Sequence, residues 1–326
     1  MMYLQVAIGF VLLMGGAEFL VRGAVAVSKR LGVSPLIIGL TVVAFGTSAP
    51  ELVVSLDAAL SGVPGLALGN IVGSNIANIL LILGATGLVL PILTKPHDMK
   101  PEAWVLLATS LVFAGLCWRG EIALAGGGVL LAMFLAFLGY SYWRKTRQEA
   151  PQSAEFHGRG MKELSKIKTP QWISWLSLIG GIAGVVFGAD VLVEGGVAIA
   201  RMLGISEEVI GLTLFAVGTS LPELAASLAA AARGHAELTL GNVVGSNLFN
   251  ILGVGGTVAV VTPLAVPAQI AAFDLWVMVG ATAVLFAFLL AGWRIGRILA
   301  AVLLLVYVAY IAAQAYGVAA LLPGLV

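Results

Sequence analysis

The sequence predicts an all-α polytopic membrane protein, with about ten transmembrane helices in two inverted five-helix repeats. Three observations carry this expectation. Of 326 residues, 60% are hydrophobic and only 10% charged, and the mean hydropathy is +1.06, whereas a soluble domain carries roughly 25% charged residues. The apolar runs reach about 20 residues, enough to cross a roughly 30 Å hydrocarbon core as helices, and strand-type alternation is absent. Finally, the chain repeats itself: Gly16-Ala17-Glu18 aligns with Gly188-Ala189-Asp190, Glu51 with Glu223 and Asn78 with Asn250, all at an offset of 172 without gaps.

A hydropathy window of roughly 19 residues places the spans of the first half at 3–27, 34–60, 65–91, 103–118 and 122–143. Those of the second half fall at 172–200, 208–232, 238–261, 271–290 and 295–316. Residues 1–143 form the first repeat and 172–326 the second, and 144–171 form the one markedly hydrophilic segment. The first span carries Glu18 and follows no basic segment or small-residue cleavage site, so it is expected to be a retained helix and not a signal peptide. The second reads GLTVVAFGTSAPELVVSLDAAL and the seventh GLTLFAVGTSLPELAASLAAAA; the third contains LGNIVGSNIANILLILG and the eighth LGNVVGSNLFNILGVGG.

Each half holds an odd number of spans, so the second copy is inverted in the membrane. With the N-terminus outside, fourteen of the 17 Lys and Arg residues fall on inside connections or in the central segment, against Arg119 and Arg201 outside and Arg22 within a span. The positive-inside rule then puts both termini outside a cell (plasma or inner) membrane, with the central loop cytoplasmic.

Composition narrows the function classes. Cys117 is the only cysteine, which excludes an intramolecular disulfide and a cysteine metal cluster. His97, His157 and His235 all sit in polar connections, away from any buried proton relay. Ser48 and Ser220 have no histidine or lysine base at membrane depth, which argues against an enzyme. No nucleic-acid motif is present, and the hydrophilic segment is too short to fold as a further domain.

The chemistry lies in the two prolines and glutamates set inside apolar spans. Pro50 and Pro222 remove helix hydrogen bonds at membrane depth, and backbone groups freed there are tolerated only beside protein or a hydrated cavity. Thr47, Ser48 and Glu51 share one helical face, as do Thr219, Ser220 and Glu223. Asn70, Ser74 and Asn78 recur every four residues, as do Asn242, Ser246 and Asn250. The midplane thus offers hard oxygen ligands and two carboxylates, a set suited to Ca²⁺, which takes roughly six to eight oxygens. Sodium competes for the same donor type. Gly69, Gly73, Gly241 and Gly245 allow close helix approach.

The duplicated GTSxPEL and GNxxGSNxxN segments resemble the alpha repeats of the cation/calcium exchanger superfamily, most nearly its prokaryotic sodium/calcium exchangers. The resemblance implies that Glu51 and Glu223 are shared ligands of Ca²⁺ and Na⁺. It completes the coordination with Thr47, Thr219 and the carbonyls of Ala44 and Ala216. It places Ser48, Ser74, Ser220 and Ser246 at flanking sodium sites, turns Asn78 and Asn250 toward the centre, and has spans one and six move across the others. Asn250 departs from the aspartate of the archaeal sodium/calcium exchanger and the potassium-dependent branch, which argues against K⁺ co-transport. A short central loop leaves no room for the calcium-sensing domains of animal exchangers.

Other readings stand beside this one. The glutamates could form structural ion pairs, although only Arg22 offers a cation at matching depth. The asparagines could be interhelical hydrogen-bond donors, with Asn70, Asn75, Asn242 and Asn247 tying broken helices together. Glu18 and Arg22, four apart, are expected to pair. Proton-coupled Ca²⁺ antiport and a cation channel are the alternative functions. The expected partners are Ca²⁺, Na⁺ and the lipid bilayer, with no cofactor and a functional monomer.

Overall fold

The computed structural model describes residues 1–93, 96–141, 143, 170–203 and 218–318. Ten long or apolar helices lie among them. They are α1 (Met2–Leu31), α2 (Pro35–Leu60), α3 (Pro64–Val89), α4 (Pro96–Cys117), α5 (Leu124–Ser141), α6 (Gln171–Met202), α7 (Leu221–Ala232), α8 (Ala236–Val261), α9 (Ile270–Ala291) and α10 (Arg297–Tyr316). The first and sixth spans extend beyond the apolar windows that predicted them. α1 continues through Lys29 and Arg30 to a glycine cap at Gly32, since a helix satisfies its backbone regardless of whether its last turn is apolar. The seventh span is described from Gly218 onward, so its expected start and Ala216 lie outside the described residues.

α1 and α6 pack antiparallel along most of their length, and glycine is the reason they can approach so closely. Gly9, Gly16 and Gly23 stand seven residues apart in α1, and Gly181, Gly188 and Gly195 repeat them in α6. A β-carbon on Gly16 would lie 2.5 Å from the Val185 nitrogen, and one on Gly23 2.3 Å from that of Leu178. From the other side, a β-carbon on Gly181 would lie 2.2 Å from the Leu20 nitrogen and one on Gly188 2.4 Å from that of Leu13. Backbone meets backbone, as small residues allow in membranes. The seven-residue period keeps the contact on one face of each helix.

Four two-residue strands link the repeats. β1 (Ile92–Leu93) pairs antiparallel with β4 (Arg294–Ile295), and β2 (Glu121–Ile122) with β3 (Leu264–Ala265). Each pair joins one strand from each half, so the two repeats exchange strands symmetrically at opposite ends of the bundle. Hydropathy does not register strands this short. Gly62 and Gly234, repeat equivalents, hold φ of 78° and 79° in the tight α2–α3 and α7–α8 turns, a left-handed conformation that favours glycine.

Two apolar clusters form the interior. The larger joins α3, α4, α5, α8, α9 and α10 with part of α2, and the smaller joins α1 and α6 to α2, α7 and the start of α8. Exposed tryptophans mark the two ends of the bundle: Trp104, Trp143, Trp172 and Trp293 at one, Trp118 and Trp276 at the other, as in the aromatic belts of membrane interfaces. Gly241 and Gly245 draw α8 onto the first half of α2, where added β-carbons would each stand 2.3 Å from the Leu36 and Leu40 carbonyl oxygens.

Candidate functional site

The site is built where α2 and α7 break. α2 runs as Pro35–Ile38, a π-helical turn over Gly39–Val43, and Ala44–Thr47, then stops at Ser48 and resumes as Ala49–Leu60. Ser48 sits at φ −88°, ψ 8°, and Ser220, just before α7, at φ −87°, ψ 3°. The break gives each proline a tolerated position: Pro50 and Pro222 fall in the first turn of a new helix, where a missing N–H costs nothing. It also places Glu51 and Glu223 in a first turn, at the positive end of the helix dipole, which favours a carboxylate. Proline and glutamate side by side are therefore one device. The proline restarts the helix, and the restart supports the acid.

The segments SAPE and SLPE read like capping boxes, in which the serine hydroxyl would satisfy its own helix. Neither serine makes a side-chain cap. Instead the Ser48 hydroxyl donates to Glu223 Oε1 at 2.6 Å, from one repeat to the other. Glu51 and Glu223 are 1% and 0% exposed, and the Ser48 bond brings the two break points together.

Around them the asparagines divide into two layers. Asn70 donates to Ser55 Oγ at 2.9 Å and to the Glu51 carbonyl at 3.2 Å, and Asn242 donates to Ser227 Oγ at 3.1 Å. Their carbonyl oxygens meet the threonine of the opposite repeat, Thr219 at Asn70 and Thr47 at Asn242, each at 3.4 Å. These six side chains tie the broken helices to their neighbours. Ser55 and Ser227 went unnoticed in the sequence, although they recur at the same 172-residue offset. Asn242→Leu and Ser227→Ala should each destabilise the purified protein by the cost of a buried hydrogen bond, about 1–3 kcal/mol, read as a lower thermal unfolding temperature. Because they share that bond, the double variant should lose less than the sum, with a coupling above ~0.5 kcal/mol. Additive losses would remove the tie.

The inner layer is unsatisfied. Asn78 donates to Asn247 Oδ1 at 3.0 Å; the carbonyl oxygens of Asn75 and Asn78, Oε2 of Glu51 and of Glu223, and the hydroxyls of Ser220 and Ser246 have no hydrogen-bond partner among the described residues. Both polar atoms of the fully buried Asn250 and the Nδ2 of Asn247 are likewise unbonded. Protein interiors rarely leave such groups unmade. The unbonded atoms concentrated here are mostly oxygens, the donor type that hard cations require. Asn247 thus combines a tie between the repeats with an unsatisfied atom, whereas the Asn75 amide donates to the Ile71 carbonyl of its own helix at 2.7 Å. Asn78 opens a π turn (Asn78–Ile82) and Asn250 lies in another (Phe249–Val254), a helix irregularity frequent at functional sites.

The remaining predicted residues fall as follows. Thr47, Ser48, Ser74, Ser220 and Ser246 are buried with the carboxylates, and Thr219 is half-buried. The Ala44 carbonyl accepts the Ser48 N–H at 3.0 Å and a longer contact from the Thr47 hydroxyl at 3.5 Å, whose shorter bond goes to the Val43 carbonyl at 3.0 Å. Arg22 does not approach Glu51: it pairs with Glu18 at 2.5 Å, as the spacing predicted, and Glu18 also receives Arg233 at 2.6 Å. A second pair of buried acids, Glu102 and Asp274, also obeys the repeat offset and escaped sequence reading. Asp274 accepts from Tyr310 at 3.0 Å and from Gln314, which fastens α9 to α10.

Inverted halves, helices broken at a buried site and strands exchanged between repeats together define a secondary-transporter architecture, with the site where the halves meet. The sequence profile described as "Sodium/calcium exchanger protein" matches residues 1–143 and 173–316, and the chain belongs to that family. It is 41% identical to the putative antiporter CaxA of Alkalimonas amylolytica, covering 90% of each chain. It is 31% identical to the sodium/calcium exchanger MaX1 of Methanosarcina acetivorans, over 96% of this chain and 98% of that one. Among solved structures, the sodium-calcium exchanger NCX_Mj superposes with a TM-score of 0.81 at 32% identity, covering 95% of this chain and 97% of that one.

Proposed function

We propose that this protein is a secondary antiporter that exchanges Na⁺ for Ca²⁺ across the cell membrane by alternating access. The observation that carries the reading is the set of buried, unbonded oxygens gathered around two carboxylates in a chain of the sodium/calcium exchanger family. Two glutamates balance one Ca²⁺ or two Na⁺, so either cargo neutralises the site and neither has to bind with the other. Competition for one ligand set, exposed to one side at a time, is sufficient for exchange.

In this reading Glu51 and Glu223 hold both ions, and Thr47, Thr219 and the carbonyls of Ala44 and Ala216 complete the calcium shell. Ser48, Ser74, Ser220 and Ser246 serve flanking sodium positions, and Asn78 and Asn250 face the centre. The close backbone contact of α1 with α6 supports their moving together past the site helices. The ions are cargo, no cofactor takes part, and no covalent chemistry is performed. A single chain carries both halves of the site and works as a monomer, with both termini outside and the central loop cytoplasmic.

The test is calcium uptake into proteoliposomes under an imposed sodium gradient or an imposed pH gradient. Uptake should follow the sodium gradient and reverse with it. Uptake that follows pH and ignores sodium would replace this reading with proton-coupled antiport. Flux persisting with no exchangeable ion opposite would mean a channel.

A further inference from the structure

At the bundle end where α1 and α7 finish, the surface departs from the repeat. Between the last third of α1 and the α7–α8 turn lies a cavity of about 190 Å³, where Arg22, Lys29, Arg233 and His235 stand over a floor of Val21 and Val25. Glu18 is shared within this group, between Arg22 at 2.5 Å and Arg233 at 2.6 Å. Arg22 remains 61% exposed in spite of that pair. Burial first, and then the charges of Lys29 and Arg233, hold the His235 imidazole below its usual pKa, as expected where positive potential accumulates.

The repeat equivalents of these four residues are Glu194, Arg201, Ser61 and Val63. The scaffold is thus duplicated and the basic cavity is not.

Depth and shape narrow what that is. α1 has 30 residues, roughly 45 Å at 1.5 Å per residue, so it overshoots a roughly 30 Å hydrocarbon core by several ångströms at each end. Lys29 then lies at headgroup level and Arg22 near the edge of the hydrocarbon, reaching outward along its own stem. Basic groups at headgroup level over an apolar floor match a phosphodiester with acyl chains below it. The planar guanidinium forks suit phosphate oxygens.

We propose that this cavity binds the phosphate of an anionic phospholipid headgroup, bridging α1 to the α7–α8 turn. The site lies in the cytoplasmic leaflet if the orientation read from the charges holds; the lipid chemistry itself does not depend on it. A basic pocket between membrane helices is a recurring lipid site.

The test uses the full-length purified protein in a neutral detergent. Bound lipid is counted by native mass spectrometry, and thermal unfolding is followed with added phosphatidylglycerol, phosphatidylcholine or inorganic phosphate. Wild type should retain phosphatidylglycerol over phosphatidylcholine and unfold at a higher temperature with it. Arg22→Gln combined with Lys29→Gln should reduce that retention at least ~10-fold. Glu18 keeps Arg233 as its partner in this variant, and His235→Gln, outside the ion pair, provides a second reading in the same direction. Arg119→Gln with Arg201→Gln, on the opposite face, should leave retention unchanged. Equal retention in wild type and both cavity variants overturns the proposal. So does stabilisation by inorganic phosphate alone, which would assign the cavity to a soluble anion. Sodium-driven calcium uptake in purely phosphatidylcholine vesicles tests the transport reading separately.

Discussion

Replacing Glu51 or Glu223 with glutamine should abolish sodium-driven calcium uptake while leaving the protein folded. Truncating one charged partner in a desolvated site costs about 2–5 kcal/mol, which is a loss of roughly 30- to 3,000-fold in ion affinity. Glutamine keeps the size of the side chain and an oxygen, so the change isolates charge. The stability arm separates this role from a structural one. Two buried carboxylates are costly to hold in the membrane and repel each other, so removing one charge should leave the ion-free unfolding temperature equal or higher. A structural ion pair would give the opposite result, since a broken buried pair destabilises strongly. Retained uptake in either variant would misplace the site.

The second large effect is on folding, and it has an internal control one residue away. Gly180 has open space where its β-carbon would stand, and Gly181 has the Leu20 backbone nitrogen at 2.2 Å. Both lie in α6, so alanine improves helix propensity at each by up to about 1 kcal/mol. Gly180→Ala should therefore raise the unfolding temperature slightly. Gly181→Ala should lower it, because backbone cannot yield as a side chain does; overpacking of this kind costs about 1–3 kcal/mol or more. Gly181→Leu should fail to give a monodisperse protein. If the two alanine variants behave alike, α1 and α6 are not held by backbone contact.

Much of this architecture was legible because the chain states it twice. The 172-residue offset, the odd number of spans and the paired PE motifs carry the inverted plan. They also point to the two carboxylates, the hydroxyls beside them and Asn78 and Asn250. What escaped was geometry that depends on partners from the other half. SAPE has the letters of a capping box, and only the fold shows Ser48 bonded to Glu223 instead of its own helix. The Asn-x₃-Ser-x₃-Asn stripes run along regular helix, but the π turns that begin at Asn78 and Phe249 leave no mark in the spacing. Gly16 and Gly181 belong to heptads visible in the sequence, but spacing alone does not say which helix meets which. The two-residue strands are too short for any periodicity to register, and their pairing is wholly between repeats.

Asn250 differs from Asn78 in one respect: Asn78 donates to Asn247, and Asn250 donates to nothing described. Two sequence-equivalent residues thus meet unequal surroundings, and the quasi-symmetric site is chemically lopsided at this position.

The claim at the centre is that one pair of glutamates holds either cation. Equilibrium Ca²⁺ binding to the purified protein, titrated calorimetrically at increasing Na⁺ and repeated with Glu51→Gln and Glu223→Gln, tests it most directly. Calcium binding should weaken progressively as Na⁺ rises and should vanish in both variants. Calcium affinity that is indifferent to Na⁺, or that survives either substitution, would contradict it.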